Sequence, residues 1–176
     1  MKKYIVLSFF LFTGLAASAQ KFAYVDSEYI IGHVPEYQAA QKQIEVMSAQ
    51  MQKQVEAKFT QIDQLYKTYQ ADQVLLTDDM RKRRENDIIE KEKEAKEFQR
   101  QKFGPEGELF QQRIKLIKPI QDKISQTIAA YAKSKAIDVI FDKNSEATMM
   151  LYSNDNYDLS KDIVIKLGYK PTKMNN

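Results

Sequence analysis

The sequence has no cysteine and only one histidine, His33, among its 176 residues. Without cysteine the chain can form no disulfide, and it cannot be a lipoprotein anchored through an N-terminal cysteine. Its extended parts must therefore be held by packing, including packing between copies of the chain. His33 has Gly32, Val34 and Pro35 as neighbours, which is typical of a linker and not of a catalytic or metal-binding histidine.

The usual phosphate-binding patterns are missing as well. Neither G-x-x-x-x-G-K-[ST] nor G-x-G-x-x-G occurs, so no nucleotide site is predicted. Asn154, Asn156 and Asp158 have the first three spacings of a calcium-binding loop. Leu159 then stands where such a loop needs glycine, and Ile165 where it needs glutamate. We therefore expect a protein that is not an enzyme and that binds no metal and no cofactor. We expect a binding function in which the bound partner is released without consumption of a nucleotide.

Neither sign of charge is in large excess. The formal net charge is +3, and Lys2 and Lys3 belong to a segment that we expect to be removed, so the mature chain is close to neutral. Charged residues make up 29% of the sequence, and the two signs are interleaved along the middle of the chain. This pattern is typical of a solvated helix face, and the near-neutral total gives no support for binding to nucleic acid.

Residues 1–19 have the three parts of an export signal peptide. A basic start, Met1-Lys2-Lys3, precedes an apolar run at residues 4–15, and Ala17-Ser18-Ala19 is a small-x-small cleavage site. The apolar run is short for a membrane span, and no later stretch is apolar enough to cross a bilayer. We predict cleavage after Ala19 and a periplasmic product, with an uncleaved anchor as the alternative.

The main feature of the chain is a long charged stretch, residues 35–118, which has two arms and a tip at residues 75–79. Apolar residues recur mostly every three or four positions in the first arm, which indicates an amphipathic helix. They are Tyr37, Ala40, Ile44, Met47, Met51, Val55, Ile62, Leu65, Tyr69 and Leu76. The second arm restarts at Thr77-Asp78-Asp79, which can cap a helix. Its thinner apolar stripe is Met80, Ile88, Ala95, Phe98 and Phe103.

Neither arm can bury much apolar surface alone, so the two are predicted to pair as an antiparallel helical hairpin with a narrow seam. At about 1.5 Å per residue, an arm of roughly 40 residues reaches about 60 Å. That is longer than a small domain needs for its core. We therefore expect a projecting, coiled-coil-like hairpin, and we expect the function to reside on it.

The remaining residues, 20–34 and 119–176, are predicted to form a small β-rich body. Strands are expected at residues 21–26, 137–142 and 147–152, and short helices at 27–31 and 159–167, the second capped by Asp158 and closed by Gly168. The first strand must pair with the others across the entire hairpin. The fold class is therefore α+β, mostly α, with the hairpin inserted in a small sheet.

The core of so small a body is only marginally stable on its own, and association of several copies through the sheet would stabilise it. The residues expected in or near an interface between copies are Phe22, Tyr24, Val139, Phe141, Met150 and Tyr152.

Three motifs, together with the long charged hairpin, carry a resemblance to a known family. They are Phe22-Ala23-Tyr24-Val25-Asp26, Ile137-Asp138-Val139-Ile140-Phe141-Asp142-Lys143-Asn144 and Asp158-Leu159-Ser160-Lys161-Asp162-Ile163-Val164. In this order, they resemble the Skp/OmpH family of periplasmic chaperones over essentially all of the mature chain. The resemblance implies a homotrimer whose bodies join and whose hairpins surround a cavity. It also implies that the cavity binds unfolded outer-membrane β-barrel proteins, the clients, without ATP and prevents their aggregation. The alternative function is a structural coiled-coil spacer or adaptor of the cell envelope.

Five first-arm residues are candidates for contact with clients: Met47, Met51, Phe59, Tyr66 and Tyr69. Their soft or aromatic side chains can adapt to different partners. The alternative is that they form the seam between the arms.

A basic cluster follows the tip: Arg81, Lys82, Arg83 and Arg84. It is either a solvated helix turn or a basic tip that meets anionic client segments or lipid head groups. Acidic residues flank the cluster, so nucleic acid is not expected.

The returning arm is broken at Gly104-Pro105, because proline lacks an N–H and clashes with the preceding helical turn. Glu106 and Glu108 suit the start of a new helix. The break is either a simple kink or a hinge that lets the cavity widen.

Overall fold

The structure is a computed structural model that describes residues 20–145 and 150–172. The predicted signal peptide and the first residues of the predicted strand 147–152 lie outside these ranges. The chain divides into two compact units, each described separately below. Among the described residues, the body unit comprises 20–33, 124–145 and 150–172, and the arm unit comprises 34–123.

The body unit contains a two-stranded parallel sheet. Strand β1, Phe22–Val25, pairs with strand β2, Val139–Asp142, in a register that places Phe22 opposite Val139 and Val25 opposite Asp142. A parallel pair needs a long connection, and here the entire arm sequence lies between the two strands. The predicted fold class, a helical hairpin inserted in a small sheet, is confirmed.

A short helix and a polar cluster follow β1. Helix α1, Ser27–Gly32, begins at Asp26, whose carboxylate accepts the Tyr29 N–H at 2.8 Å. The second carboxylate oxygen of Asp26 lies 2.8 Å from Lys143 Nζ, just after β2. The buried hydroxyl of Ser160 accepts the Asp26 N–H at 2.8 Å. Polar contacts thus join the ends of both strands to the C-terminal region.

The last helix, α5 (Ser160–Lys166), packs against α1 and supplies much of the core. Ile163 and Val164 on α5 and Ile30 on α1 are the largest fully buried side chains. Gly168 closes the helix at φ +94°, a conformation that favours glycine, and the Tyr169 N–H reaches the Val164 carbonyl at 3.0 Å.

Two predictions about the C-terminal region need correction. Residues 150–152 are described and form no strand; their Leu151 and Tyr152 side chains are 91% and 84% exposed. Polar residues that favour turns follow, and a 3₁₀ turn forms at Asp155–Tyr157. Asp158 accepts the Ser160 N–H at 2.8 Å, but the N-cap position itself is Leu159, and Asp158 forms a backbone bridge with Tyr24.

The arm unit contains the predicted antiparallel hairpin. Helix α2, Pro35–Asp72, is 38 residues long and has proline in its first turn, where a missing N–H costs nothing. A 3₁₀ turn at Gln73–Leu75 leads to helix α3, Asp78–Phe103. Thr77 caps α3 by accepting the Met80 N–H, as the sequence predicts. The cap and the two long helices are confirmed.

The seam is narrow and forms two clusters. Near the tip, Ile62 and Tyr69 of α2 pack with Ile88 and Ala95 of α3. Farther along, Ala40, Ile44 and Ile117 pack with half-buried neighbours: Tyr37, Met47, Leu109, Leu116 and Ile120. Low residue numbers on the first arm meet high numbers on the returning arm, as antiparallel pairing requires. Met80 is 49% exposed and lies outside the seam in which the sequence pattern placed it.

The predicted interruption at Gly104-Pro105 is confirmed, because α3 ends at Phe103 and helix α4, Glu108–Lys135, begins beyond it. The turn between them is tight. The Gly104 N–H donates to the Arg100 carbonyl at 2.7 Å, and the Gly107 N–H donates to the Gly104 carbonyl at 2.9 Å. A Cβ at Gly104 would lie 2.4 Å from the Arg100 oxygen, so the turn requires glycine.

Candidate binding surfaces

The body unit has an open groove of about 840 Å³ beside the sheet. Five of the six predicted interface residues line it: Phe22, Tyr24, Phe141, Met150 and Tyr152. The Phe22 and Phe141 rings stack with centroids 6.4 Å apart and are 48% and 40% exposed. The structure therefore brings most of these residues together on one apolar surface.

Two members of the predicted interface set differ from the rest. Tyr24 is buried and can contribute only to the floor of the groove. Val139 is half-exposed but does not line the groove.

Several groove residues were not singled out from the sequence. Tyr131, Tyr157 and Leu159 also line it. Tyr131 lies on α4 and is itself buried. Its hydroxyl donates to the Asp162 carboxylate, and this hydrogen bond, with partial burial, raises the pKa of Tyr131. This hydrogen bond links α4, which forms part of the groove wall, to α5.

His33 has a structural role at the end of α1. Its Nδ1 lies 2.7 Å from the Tyr29 carbonyl and must donate to it, because a carbonyl oxygen can only accept. The other ring nitrogen accepts the Thr172 N–H at 3.0 Å. The histidine therefore holds the chain beyond α5 against α1.

The five arm residues predicted to contact clients fall into two groups. Phe59 and Tyr66 are 37% and 50% exposed, so a partner can reach them. Met51 and Tyr69 are 6% and 8% exposed, and Met47 is half-buried beside the Ala40 cluster. Met51 and Tyr69 are therefore corrected from client-facing residues to buried residues, and Tyr69 lies in the seam cluster near the tip.

Tyr69 also makes a polar contact in the seam. Its hydroxyl donates to the Glu85 carboxylate of α3, and this hydrogen bond is the main reason that the pKa of Tyr69 is raised. The apolar stripe of α3 has a gap here, and this hydrogen bond joins α3 to α2 in place of an apolar contact.

Other apolar side chains are exposed along the arms. Val46, Ile89, Phe110 and Ile114 are between 40% and 62% exposed. Val46 and Ile89 lie off the regular stripes of α2 and α3, so the periodicity that locates the seam gave no signal for them. Together with Phe59 and Tyr66, the four residues make a dispersed set of apolar contacts on a strongly charged surface.

The four basic residues after the tip do not act alike. Arg81 donates to the Leu76 carbonyl through Nε and Nη2, both at 3.2 Å, and so helps to close the tip. Lys82, Arg83 and Arg84 are exposed and have no ion pair or hydrogen bond within residues 20–145 and 150–172. They follow two exposed apolar residues at the end of the hairpin, Val74 and Leu75, which are 87% and 81% exposed.

The break in the returning arm is bridged by side chains. Lys102, before the break, forms an ion pair with Glu108, after it. The Phe98 ring has two lysine ammonium groups over it, Lys58 at 4.9 Å and Lys102 at 5.3 Å from the centroid. Gly104 and Pro105 thus sit in a turn that is held by backbone hydrogen bonds and spanned by an ion pair.

The described part of the chain has no cluster of acidic or histidine side chains suited to a metal ion. In the same residues, no helix combines the length and the hydropathy needed to span a bilayer.

Comparisons with known proteins agree with the fold. The family model for Outer membrane protein (OmpH-like) matches residues 21–167. A crystal structure of a candidate outer membrane chaperone (OmpH-like) from Caulobacter crescentus CB15 is similar, with a TM-score of 0.66, 13% sequence identity and coverage of 92% of each chain. No curated protein matches the sequence. The family match covers most of the chain, and the chain therefore belongs to the OmpH-like family of outer membrane proteins.

Proposed function

We propose that the protein is a non-catalytic chaperone that holds unfolded outer-membrane β-barrel proteins and prevents their aggregation without ATP. The observation that carries the proposal is the dispersed set of half-exposed apolar side chains on the charged arms, which includes Phe59, Tyr66 and Ile89. The relative from Caulobacter crescentus is itself described as a candidate outer membrane chaperone, which supports the same role.

The size of each contact suits a holdase. Covering a half-exposed aromatic side chain gives roughly 1–2 kcal/mol, at about 25 cal/mol per Å² of apolar surface. One such contact is too weak to fix a client in one conformation. Several contacts that act on one enclosed chain add up through high local concentration. The client is then released when a stronger competing process, such as folding into a membrane, removes it.

We further propose that three copies assemble through the body units and that their hairpins enclose the client. The groove supports this, because it gathers exposed apolar residues such as Phe22 and Phe141 that water would otherwise contact. A lone body unit has a small core, so burying this surface between copies would stabilise each copy.

We place the protein in the periplasm, after cleavage following Ala19. Lys82, Arg83 and Arg84 are proposed to meet anionic client segments or lipid head groups, because no acidic side chain in the described residues pairs with them. The Gly104-Pro105 break is proposed to let the arm bend when larger clients enter. Such bending would require the Lys102–Glu108 ion pair to open.

An aggregation assay tests the main proposal. A urea-unfolded outer-membrane β-barrel protein is diluted into buffer, and light scattering is followed with and without the protein. We expect suppression by wild type and a clear loss of suppression for Phe59→Ser/Tyr66→Ser. The matched control Gln54→Ser/Gln70→Ser alters two exposed, neutral positions of the same helix and is expected to behave as wild type.

The assay also separates the alternative function. An envelope spacer or adaptor would bind a folded partner at fixed stoichiometry and would leave the scattering of the unfolded barrel unchanged. That result with wild-type protein would refute the chaperone proposal.

A further inference from the structure

The break in the returning arm lies beside an aromatic ring that is surrounded by charged side chains. We call this group the Phe98 cluster, which consists of Lys58, Phe98, Lys102 and Glu108. Lys58 is on α2, and Phe98 and Lys102 are on α3. Glu108 is the first residue of α4, beyond the break. The cluster therefore connects both sides of the break to the opposite helix of the seam.

The cluster contains two cations and one anion, so its charges balance only in part. The ammonium groups of Lys58 and Lys102 lie 4.9 Å and 5.3 Å from the centroid of the Phe98 ring. A ring face attracts a cation, but two cations that share one ring repel each other. The Lys102 side chain is 20% exposed and Lys58 is half-buried, so water screens this repulsion only partly. The Glu108 carboxylate, which pairs with Lys102, offsets the repulsion.

We infer that Glu108 couples the break to the seam. When the returning arm bends at Gly104-Pro105, Glu108 moves away from Lys102, and the two ammonium groups remain beside one ring without their counter-ion. Their repulsion then weakens the contact of α2 with α3 at this level of the hairpin. The inference rests on the proposed bending of the break and goes beyond it, because it states that bending also loosens the pairing of the two helices.

The seam residues that this coupling would affect lie one helical turn from the cluster. Ile62 follows Lys58 by one turn on α2, and Ala95 precedes Phe98 by one turn on α3. Both belong to the buried cluster near the tip. Ile88 and Ala95 are the two buried residues of α3, so a weaker contact at Ala95 affects a large share of what holds α3 in the seam.

Hydrogen exchange of backbone amides, followed by mass spectrometry, tests the inference on the full-length protein without any client. Two amides hold the turn: the Gly104 N–H donates to the Arg100 carbonyl at 2.7 Å, and the Gly107 N–H donates to the Gly104 carbonyl at 2.9 Å. Glu108→Gln removes the charge and keeps the size of the side chain. We expect this variant to speed exchange about two- to fivefold both in the turn and in residues 60–65 of α2, which is the range for a partly exposed ion pair.

The matched control is Glu97→Gln. Glu97 forms an ion pair with Arg100 at 2.8 Å within α3, and its side chain is 45% exposed against 47% for Glu108. This pair does not span the break, so exchange in the turn and in α2 is expected to stay as in wild type. Glu108 also lies in the first turn of α4, where an acidic residue favours the helix. The readout that decides is therefore α2, across the seam.

A second variant separates charge repulsion from a general loss of structure. Lys58→Gln removes one of the two cations from the Phe98 ring. In Lys58→Gln/Glu108→Gln, exchange in residues 60–65 is expected to return toward the wild-type rate, because the repulsion is gone. The control Lys53→Gln/Glu108→Gln alters an exposed lysine of the same helix and is expected to exchange as fast as Glu108→Gln alone.

The outcomes separate this inference from the proposed function. If Glu108→Gln exchanges as wild type in both regions, the inference fails, whereas the proposed bending and the chaperone role stand. If exchange rises only in the turn, or if Lys58→Gln does not restore slow exchange in α2, Glu108 acts on the break alone and the coupling to the seam is wrong. The scattering assay with wild-type protein decides the chaperone role independently, because it does not depend on Glu108.

Discussion

Gly104→Ala tests most directly whether the break in the returning arm is a turn of fixed conformation or a flexible connection. The added Cβ would lie 2.4 Å from the Arg100 carbonyl oxygen and 3.3 Å from its carbon. The nearest atom is backbone that accepts the Gly104 N–H at 2.7 Å, so it cannot rotate away as a flexible side chain would. The last turn of α3 must therefore shift by most of an ångström.

Forcing extra volume into a packed position costs typically about 1–3 kcal/mol. We expect Gly104→Ala to lie in the upper half of that range, at about 2–3 kcal/mol, because the hydrogen bond that ends α3 is strained together with the packing. The free energy of unfolding is measured by urea denaturation at one fixed protein concentration, with helix content followed by circular dichroism. Alanine here is thus expected to distort the arm, not to stiffen it as helix propensity alone suggests.

The control is Glu106→Ala, an exposed position in the same turn, which is expected to change the unfolding free energy by less than about 0.5 kcal/mol. A Gly104→Ala protein within that same margin of wild type would show that the turn yields freely, and the reasoning from its geometry would be wrong.

Three further predictions concern the body unit and the tip. Partial burial raises the pKa of Asp26, but the hydrogen bond from Lys143 and further donors bring it below its usual value. The ionised carboxylate therefore stabilises the folded chain above the pKa of the unfolded state. This stabilisation is lost as the pH falls through the lowered pKa of the folded state. Acid titration of the unfolding free energy between about pH 5 and pH 3 should thus show a weaker loss in Asp26→Asn than in wild type, and parallel curves would contradict this. Ile163→Ala removes a fully buried side chain and should cost about 2–5 kcal/mol in urea denaturation; a cost below 1 kcal/mol would place Ile163 outside the core. Arg83→Gln/Arg84→Gln should reduce the salt dependence of client binding measured by fluorescence anisotropy, whereas an unchanged salt slope would mean that these cations make no contact.

The hairpin was predictable because its signals are local. Proline at the start of α2, the Thr77 cap and the three-and-four spacing of apolar residues each report on a few neighbouring positions. The Gly104-Pro105 interruption is equally local, because proline removes a donor wherever it occurs.

The buried face of α2 was predictable from the same signal, because its buried residues all lie on the apolar stripe that recurs mostly every three or four positions. Leu65 and Tyr69 are on this stripe and lie in the seam, whereas Tyr66 is off it and is half-exposed. The fate of the apolar run before Ser153 was not predictable in this way. It suggested a strand, but strand formation needs a partner, and the sequence of one segment does not identify its partner.

The pairing of β1 with β2 sets the order in which the chain can fold. The Lys21 N–H and its acceptor, the Asp138 carboxylate, are 117 positions apart, and all of the sheet register lies at similar separations. Closing so large a loop in an unstructured chain is slow, whereas helices joined by a short turn meet early. Pairing of α2 with α3 shortens the free chain between the strands, so we expect the sheet to form last. A chain cut short before Val139 has no partner for its first strand.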